Sequence, residues 1–377
     1  MNLFRALSPI VRKEFRQIRR DPTSLGMLLA VPAGMIILVG YALNFDVKHI
    51  PMVVYDQSRT PESREFVRPF KNSEYFDYLY DVDTYREIEE DFLHGRARIA
   101  IVVPTDYARQ VVSGSGAVVQ ILVDGSDANS AGQAIGYATR MTMDYSSRVM
   151  IEGKRRVGRE VYVPIDFRPR IWYNPDLVTT KFLIPGLIGL ILVLTAVVST
   201  AMAVVREKER GTMEQIMVSP LRPVHVILGK TIPYFLISLV AATGILVLGY
   251  LLFDVTIRGN LLVLYLGIGT IILGALGQGL LISTVTDSQQ VAFMLAVFSS
   301  LLPSFLLSGF VFPISNMPMV LQILSNIAVT KFFLVVVRGV MLKGVGLSVL
   351  WPQFVYMGIF VAFTLVVSVR RMHKREW

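Results

Sequence analysis

Residues 182–205 read FLIPGLIGLILVLTAVVSTAMAVV and contain no Asp, Glu, Lys or Arg. A helix of about 20 mainly apolar residues crosses the hydrocarbon core of a bilayer, so this stretch predicts a transmembrane helix. Five further runs lack these charged residues, at residues 25–43, 231–253, 260–286, 288–330 and 344–369. The chain of 377 residues is 53% hydrophobic and 17% charged, whereas soluble domains average about 25% charged residues. The sequence therefore predicts an α-helical polytopic membrane protein.

The run at residues 288–330 is too long for one span. As a single helix it would extend roughly 64 Å, about twice the thickness of the hydrocarbon core. It is also interrupted by Pro303, Gly309, Pro313 and Pro318. Two interpretations remain, either two complete spans or one span followed by a re-entrant or surface-lying hairpin.

The distribution of basic residues decides between these interpretations. Outside residues 44–181, most Lys and Arg residues lie in three segments, at residues 5–20, 206–230 and 370–375, and this part of the chain accounts for the net charge of +9. Short basic segments stay in the cytoplasm, and six spans place all three there, whereas seven would place the tail on the other side. We therefore predict six spans, cytoplasmic termini and a re-entrant hairpin over residues 303–335, between the fifth and sixth spans.

The hydrophilic block at residues 44–181 is large enough to form a domain, and this topology places it outside the cytoplasm. Short apolar runs predict strands at residues 51–56, 99–103 and 118–123. Polar periodic stretches predict helices at residues 84–94, 105–113 and 127–156, with Thr105 and Asp127 as N-caps. Alternating strands and helices favour a small α/β or α+β domain. The block is slightly acidic, so the basic charge of the chain indicates orientation and not nucleic-acid binding.

The N-terminal segment, residues 1–24, combines basic residues with an apolar repeat. Apolar side chains recur at helical spacing at Phe4, Leu7, Val11, Phe15 and Ile18. This pattern is typical of an amphipathic helix that lies in the membrane interface, although a plain basic flank is the alternative. No A-x-A cleavage site follows the first span, so we expect this span to be retained.

The sequence contains no arrangement of residues that predicts catalysis or a metal site. There are no cysteines, and the four histidines are scattered along the chain. Gly229, Lys230 and Thr231 resemble the end of a phosphate-binding loop, but Val224 stands where that loop requires glycine. We therefore expect no nucleotide site, no cofactor and no enzymatic activity in this chain.

Within the uncharged runs, hydroxyl groups are the main polar candidates for function. An ion-driven carrier usually has ionisable side chains at membrane depth, and their absence from these runs argues against such a carrier. A transport pathway could be lined by Thr195 and Ser199 in the second span and by Ser300 and Ser304 in the fifth. Alternatively, these hydroxyls bond back to the backbone of their own helices.

The basic segment between the second and third spans reads REKERGTMEQIMVSPLRP at residues 206–223. Thr212 and Gln215 have the spacing of a capping box and predict a short helix over residues 213–218. That helix would expose Ile216 and Met217, and an exposed apolar patch surrounded by charge usually binds a partner. A helix resting on the bilayer surface is the alternative.

This loop closely resembles the signature of ABC-2 type exporter permeases, in the subgroup with a large extracytoplasmic domain that is often linked to multidrug efflux. Further stretches also fit that family, namely RKE at 12–14, RRDP at 19–22, VDGS at 123–126, WYNP at 172–175 and SGFVFPISNMP at 308–318. The resemblance extends over the whole chain. It implies six spans, an interfacial N-terminal helix and re-entrant helices before the sixth span.

The resemblance also implies how such a chain works. A coupling helix would dock on a separate ATP-binding cassette ATPase subunit, which binds the ATP and Mg. The residues that would form or support this contact are Glu207, Glu209, Arg210, Gly211, Thr212, Glu214 and Gln215. A second permease chain, identical or closely similar, would complete the substrate path, which the second and fifth spans flank. A periplasmic adaptor and an outer-membrane channel are further partners of some family members.

We therefore expect a permease in the bacterial inner membrane that exports an amphiphilic or drug-like substrate. The alternative is a membrane-anchored receptor or adhesion protein whose extracytoplasmic domain binds a ligand or a partner. The predicted parts are an interfacial helix (1–24), a first span (25–43), a periplasmic domain (44–181), spans two to six (182–369) and a basic tail (370–377). Residues 182–369 include the coupling loop (206–229) and the re-entrant region (303–335).

Overall fold

The computed structural model describes residues 3–42, 48–156, 172–173, 179–211 and 223–374. The chain divides into two compact units. The helical unit comprises Met1–Asn44 and Ile171–Trp377, and the sheet unit comprises Phe45–Arg170. Each unit has its own hydrophobic core, which follows from the separate clusters of buried apolar side chains.

The helical unit begins with α1 (Leu3–Arg20) and α2 (Pro22–Ala42). Proline is well suited to the first turn of a helix, so α2 begins at Pro22. Proline also disfavours a helical conformation at the residue before it, which is Asp21, and α1 ends just before that residue. The predicted apolar stripe on α1 is shifted, because Glu14 and Ile18 are buried while Phe15 is exposed. The inward face of α1 therefore includes a carboxylate, which a pattern of apolar residues does not predict.

The sheet unit contains four strands in its described residues, in the order β2-β1-β3-β4. These are β1 (Ile50–Asp56), β2 (Phe76–Asp81), β3 (Ile99–Val103) and β4 (Gln120–Val123). β1 is parallel to both β2 and β3, and β4 is antiparallel to β3. All five residues of β3 are buried, as expected for a central strand covered on both faces.

Over residues 48–156, four helices accompany the sheet, namely α3 (Pro61–Lys71), α4 (Tyr85–Leu93), α5 (Tyr107–Ser113) and α6 (Ala128–Arg156). Asp127 caps α6 as predicted, since its side chain accepts a hydrogen bond from the Ser130 amide at 3.4 Å. Thr105 does not cap α5, because α5 starts after Asp106. The prediction missed β2, whose apolar residues are interrupted by aspartates, and α3, which contains two prolines.

The helical unit continues after the sheet unit with α7 (Thr179–Glu209), α8 (Pro223–Phe253), α9 (Leu261–Val285) and α10 (Gln289–Leu302). A π-helical turn, Pro303–Leu307, extends α10. The chain then forms α11 (Met319–Leu324), α12 (Val329–Arg338), a second π-helical turn (Gly339–Lys343) and α13 (Leu347–Lys374).

Six helices in the described residues are long and apolar enough to cross a membrane, which confirms the predicted polytopic class. They are α2, α7, α8, α9, α10 with its π-helical turn, and α13. Between the last two, the segments Met319–Ile327 and Val329–Lys343 meet at a bend of 84°. If this bent pair were one span, the number would be seven.

The centre of the helical unit is α7. Of its most apolar stretch 83% is buried, against 17% in α13. Glycines allow the neighbouring helices to approach it closely, which is a common way to pack membrane helices. At Gly279 on α9, an added Cβ would lie 2.6 Å from the carbonyl oxygen of Val197 on α7. The backbones of α7 and α9 therefore meet almost directly.

Candidate functional site

The predicted coupling residues begin in the last turn of α7. Gly211 ends this helix in the left-handed conformation, with φ at +67°, and its amide donates to the Lys208 carbonyl at 3.0 Å. Arg210 and Gly211 are exposed. The remaining predicted residues, Thr212, Glu214 and Gln215, and the predicted helix at 213–218 lie outside the described residues.

Glu207 points into the helical unit and not outward. Its carboxylate accepts hydrogen bonds from Lys230 Nζ on α8 at 2.6 Å and from Lys13 Nζ on α1 at 2.5 Å. Lys230 Nζ also donates to Glu14 Oε1 at 3.2 Å. We call these four residues the ion cluster. The side chains of Glu14, Glu207 and Lys230 are only 2–4% exposed, so this geometry gives Glu207 an internal role.

The ion cluster compensates for the cost of burying its charges. A charge removed from water is tolerated only when it is paired and hydrogen-bonded. Partial burial by itself would lower the pKa of Lys13, but its hydrogen bond to Glu207 and the negative charges of Glu207 and Glu14 raise that pKa overall. Lys13 therefore stays charged and completes the neutralisation of the two carboxylates.

The neighbouring side chains of α7 reach other helices. Arg206 pairs with Asp21, which lies at the junction of α1 and α2. Lys208 Nζ donates to the Thr286 carbonyl at 3.1 Å, and it also contacts the Ser283 carbonyl at the end of α9. Cations favour this position because the last carbonyls of a helix have no partner within the helix.

Glu209 contacts the beginning of α10. Its Oε1 accepts a hydrogen bond from the backbone amide of Gln289, the first residue of α10, at 2.7 Å. The N-cap residue Ser288 makes no side-chain bond, so Glu209 supplies the cap from another helix. A carboxylate at this position also interacts favourably with the helix dipole.

The four consecutive residues 206–209, with the sequence REKE, therefore contact four parts of the helical unit, and we call them the REKE segment. Successive helical residues point about 100° apart, so one turn of helix can reach several neighbours. Arg206 reaches the α1–α2 junction and also Gln289 on α10, and Glu207 reaches α1 and α8. Lys208 reaches α9, and Glu209 reaches α10.

The four predicted pathway residues are all buried in the packed interior. Thr195 on α7 donates to the Ile191 carbonyl at 2.7 Å, and Ser300 on α10 donates to the Ala296 carbonyl at 2.5 Å. Ser199 Oγ is buried and has no hydrogen-bond partner among the residues that the structure describes. Ser304 is buried on the π-helical turn that extends α10. A role in lining a path remains a prediction, and it would require α7 and α10 to separate.

Lys230 has a helical setting that rules out the phosphate-loop resemblance, because Gly229 and Lys230 lie inside α8. A Cβ at Gly229 would lie 2.5 Å from the side chain of Ile10 on α1. This glycine therefore serves the close contact between the two helices and not the binding of a nucleotide.

Comparison with known proteins places this arrangement in a family. The family described as "ABC-2 family transporter protein" matches residues 23–370. This range includes the REKE segment and all six candidate spans, except for Arg371 at the end of the last one. The chain belongs to the ABC-2 transporter family.

Proteins of similar length are related to this ABC-2 chain in sequence. It is 30% identical to the "Probable multidrug ABC transporter permease YbhR" of Escherichia coli K12, over 93% of both chains. It is 29% identical to the "Probable multidrug ABC transporter permease YbhS" of the same organism, over 90% of this chain and 89% of that one. The "Inner membrane transport permease YhhJ" is 26% identical, over 85% and 84% respectively.

The internal contacts of this ABC-2 chain were not predicted from its sequence. The apolar runs contain no ionisable residues, but α7 and α8 extend beyond the runs and bring Glu207 and Lys230 into the interior. One local signal was available, because Glu14 lies between Ile10 and Ile18 at intervals of four residues. A carboxylate on an apolar stripe indicates a buried cation nearby.

Proposed function

We propose that this ABC-2 chain is the membrane permease subunit of an ATP-driven exporter that moves an amphiphilic or drug-like substrate outward. A separate ATP-binding cassette subunit would bind ATP and Mg. Family membership and the names of the relatives support this proposal. The observation that carries it is the REKE segment, because this segment joins the loop after Gly211 to four parts of the helical unit.

Coupling would proceed from this loop into the membrane. The exposed residues Arg210 and Gly211, together with Thr212, Glu214 and Gln215, would dock on the ATPase. Glu207 and Glu209 would support the contact from behind, since both carboxylates hold other helices. Closure of the ATPase subunits would then displace the end of α7, and α1, α8, α9 and α10 would follow.

The proposed topology has six spans with both termini in the cytoplasm of a bacterial cell. The sheet unit would be periplasmic, and the bent pair between α10 and α13 would be a re-entrant hairpin. Supporting this, a bend of 84° within a short segment suits a hairpin that enters and leaves by the same face. The three basic segments then share the cytoplasmic side.

The proposed transporter contains two permease chains, identical or closely similar. Substrate would pass beside α7 and α10, where Thr195, Ser199, Ser300 and Ser304 would be uncovered as these helices separate. A periplasmic adaptor and an outer-membrane channel would receive the substrate. An unpartnered hydroxyl, such as that of Ser199, supports this role because it can accept or donate a bond to a passing molecule.

Purification of the tagged chain from native membranes tests the proposal. We expect an ATPase subunit to co-purify, and we expect Glu214→Arg in the coupling loop to remove it. Glu89→Arg, a charge reversal at an exposed position of α4, is the matched control and should leave the ATPase bound. Failure to recover any ATPase from intact membranes would contradict the proposal. So would export of an amphiphilic fluorescent dye from cells that does not change in Glu214→Arg, because a receptor or adhesion protein takes no part in export.

A further inference from the structure

The two ends of α7 differ in how their cations are neutralised. At the end that contains the REKE segment, Lys13, Arg206, Lys208 and Lys230 each contact a carboxylate. The opposite end begins near Phe182, about 40 Å away at the rise of an α-helix. We call it the Phe182 end. The cations at the Phe182 end are Lys181, Arg258, Arg338 and Lys343. Within the described part of the chain, none of these four forms an ion pair with a carboxylate.

Arg338 is the most constrained of these cations. It ends α12, and its guanidinium lies 3.7 Å from the ring centroid of Phe182. Its Nη1 donates to the Gly309 carbonyl and its Nη2 donates to the Phe310 carbonyl, both at 3.2 Å. Two carbonyl groups orient the guanidinium, but neither carries a formal charge, so within the described residues its positive charge is not compensated.

The hydrogen-bonding capacity of Arg338 is also incomplete. A guanidinium has five N–H donors, and the described bonds to carbonyls use two of them. Nε is buried and has no acceptor in the described residues. A buried donor without an acceptor requires an explanation, and an ion or ligand is one of the usual ones. The Nε edge of a guanidinium is suited to bidentate binding of a carboxylate, sulfonate or phosphate.

The surroundings of Arg338 combine this positive charge with an apolar wall. Phe182 is 44% exposed although its ring packs on the guanidinium. Phe310, in contrast, is buried against α7, where a Cβ at Gly186 would lie 2.3 Å from its ring. The guanidinium is thus fixed by a rigid backbone segment on one side and bordered by an accessible aromatic ring on another.

We propose that Arg338 and Phe182 form a binding site for the anionic head group of an amphiphile, with Arg338 holding the head group and Phe182 contacting the apolar tail. The inference rests on the proposed function. In the topology proposed there, the Phe182 end is the outer end of the transport path. It narrows the substrate class to amphiphiles that carry a carboxylate, sulfonate or phosphate. The same chemistry occurs in the head group of an anionic lipid.

Lys331 provides a matched control on the same helix, α12. Its Nζ donates to Ser325 Oγ at 2.9 Å and to Asn326 Oδ1 at 2.8 Å, so polar side-chain oxygens already satisfy it. A change at Lys331 therefore removes one positive charge from α12 and leaves the Arg338 site intact. Arg338→Lys keeps a charge, and Arg338→Gln removes it while retaining donors for the two carbonyls.

The test measures binding of dansyl-labelled laurate to the full chain in nanodiscs of phosphatidylcholine. A dansyl-labelled dodecyl trimethylammonium of matched length is the comparison. We expect Arg338→Gln to weaken binding of the anionic probe at least about tenfold. This is the change in affinity that the loss of one charge-assisted hydrogen bond causes. Binding of the cationic probe should not weaken. Arg338→Lys should retain part of the affinity, and Lys331→Gln should change it less than twofold.

Nanodiscs that also contain phosphatidylglycerol distinguish the two sources of the head group. Competition by this lipid would assign the site to a lipid head group, and unchanged binding would assign it to the free amphiphile; both support an anionic site. Equal binding of the anionic probe to wild type and Arg338→Gln would overturn the proposal. So would an equal loss of both probes in Arg338→Gln and Arg338→Lys, which indicates a structural role only. This assay needs no ATP and no ATPase, so it can fail independently of the proposed function.

Discussion

Lys230 shows how much of the helical unit depends on one side chain. It is buried between two carboxylates that belong to different helices, Glu14 on α1 and Glu207 on α7. The desolvation cost of a buried ion pair can equal its Coulomb energy, so the intact cluster adds little net stability. Removing one partner is different, because the remaining charges stay buried without compensation.

We therefore predict that Lys230→Met lowers the free energy of unfolding by about 3–5 kcal/mol, the usual cost of breaking a buried ion pair. The measurement is equilibrium unfolding of the purified chain in detergent micelles. The double variant Glu207→Gln with Lys230→Met should cost less than the sum of the single variants, because it removes a second uncompensated charge. Additive costs would show that the two residues act independently.

Lys13 gives the ion cluster a dependence on pH. Its pKa is raised above the ordinary value of 10.5, since the hydrogen bond to Glu207 and the nearby negative charges outweigh partial burial. A raised pKa means that its stabilising contribution is fully present below pH 10.5 and is lost as the pH rises through the pKa in the folded state. The unfolding midpoint of wild type should fall toward that of Lys13→Gln above pH 10.5, as measured by thermal melts in micelles. A difference between the two that is constant with pH would contradict this.

At the scale of the element, α7 is defined by its apolar sequence and by its close neighbours. The contact between Val197 and Gly279 brings the backbones of α7 and α9 together, and it leaves no room for a side chain. Gly269, also on α9, has more space around it, because an added Cβ would lie 3.5 Å from the ring of Phe235. These two glycines provide a direct comparison.

We predict that Gly279→Ala destabilises the chain by about 1–3 kcal/mol, because the new methyl group overlaps the Val197 carbonyl. Gly269→Ala should instead stabilise it by up to about 1 kcal/mol, since alanine favours a helix and the methyl group fits. Unfolding of both variants in micelles checks the difference in sign. Equal effects at the two sites would indicate that helix propensity and not close packing determines them.

The sequence predicts the elements better than it predicts their contacts. Uncharged runs are enough to locate the six candidate spans, because the thickness of the bilayer sets the length of a span. The strand at 99–103 is equally clear, since it is short, apolar and fully buried. The edge strand β2 was missed because its two aspartates break the apolar run, and its exposed positions impose no pattern.

The site was harder to predict because its contacts are distant in sequence. Glu14 and Lys230 are 216 positions apart, and Glu209 and Gln289 are 80 positions apart. Glu14 leaves only the trace of a carboxylate on an apolar stripe, and Glu209 leaves none, because a charged residue in a basic loop is expected to be exposed. Only the fold shows that Glu207 and Glu209 contact other helices, whereas Arg210 and Gly211 are open to a partner.

At the scale of the whole molecule, the proposed exporter depends on transmission between its parts. Glu209 connects the end of α7 to α10, because its carboxylate caps that helix. α10 packs against α7, and the hydroxyls that would line the path are buried on α7, on α10 and on the π-helical turn that extends α10. A defect in this cap should therefore affect transport more than assembly.

We predict that Glu209→Gln retains the co-purifying ATPase and its ATP hydrolysis but lowers export of an amphiphilic dye roughly tenfold, the effect of weakening one charge-assisted cap. Export from cells and ATPase activity of the purified complex measure the two quantities separately. Arg210→Gln, at the neighbouring exposed position, is the comparison and should weaken binding of the ATPase first. Loss of the ATPase in Glu209→Gln would instead assign this carboxylate to the docking surface.

The arrangement of the REKE segment makes the spacing of its residues more important than their chemistry. Together its four side chains reach α1, α8, α9 and α10 only because the direction of each around α7 is fixed. One inserted or deleted residue ahead of this segment would turn all four directions by about 100° at once. A deletion library across residues 200–211 should therefore show losses at single-residue steps that no single substitution reproduces.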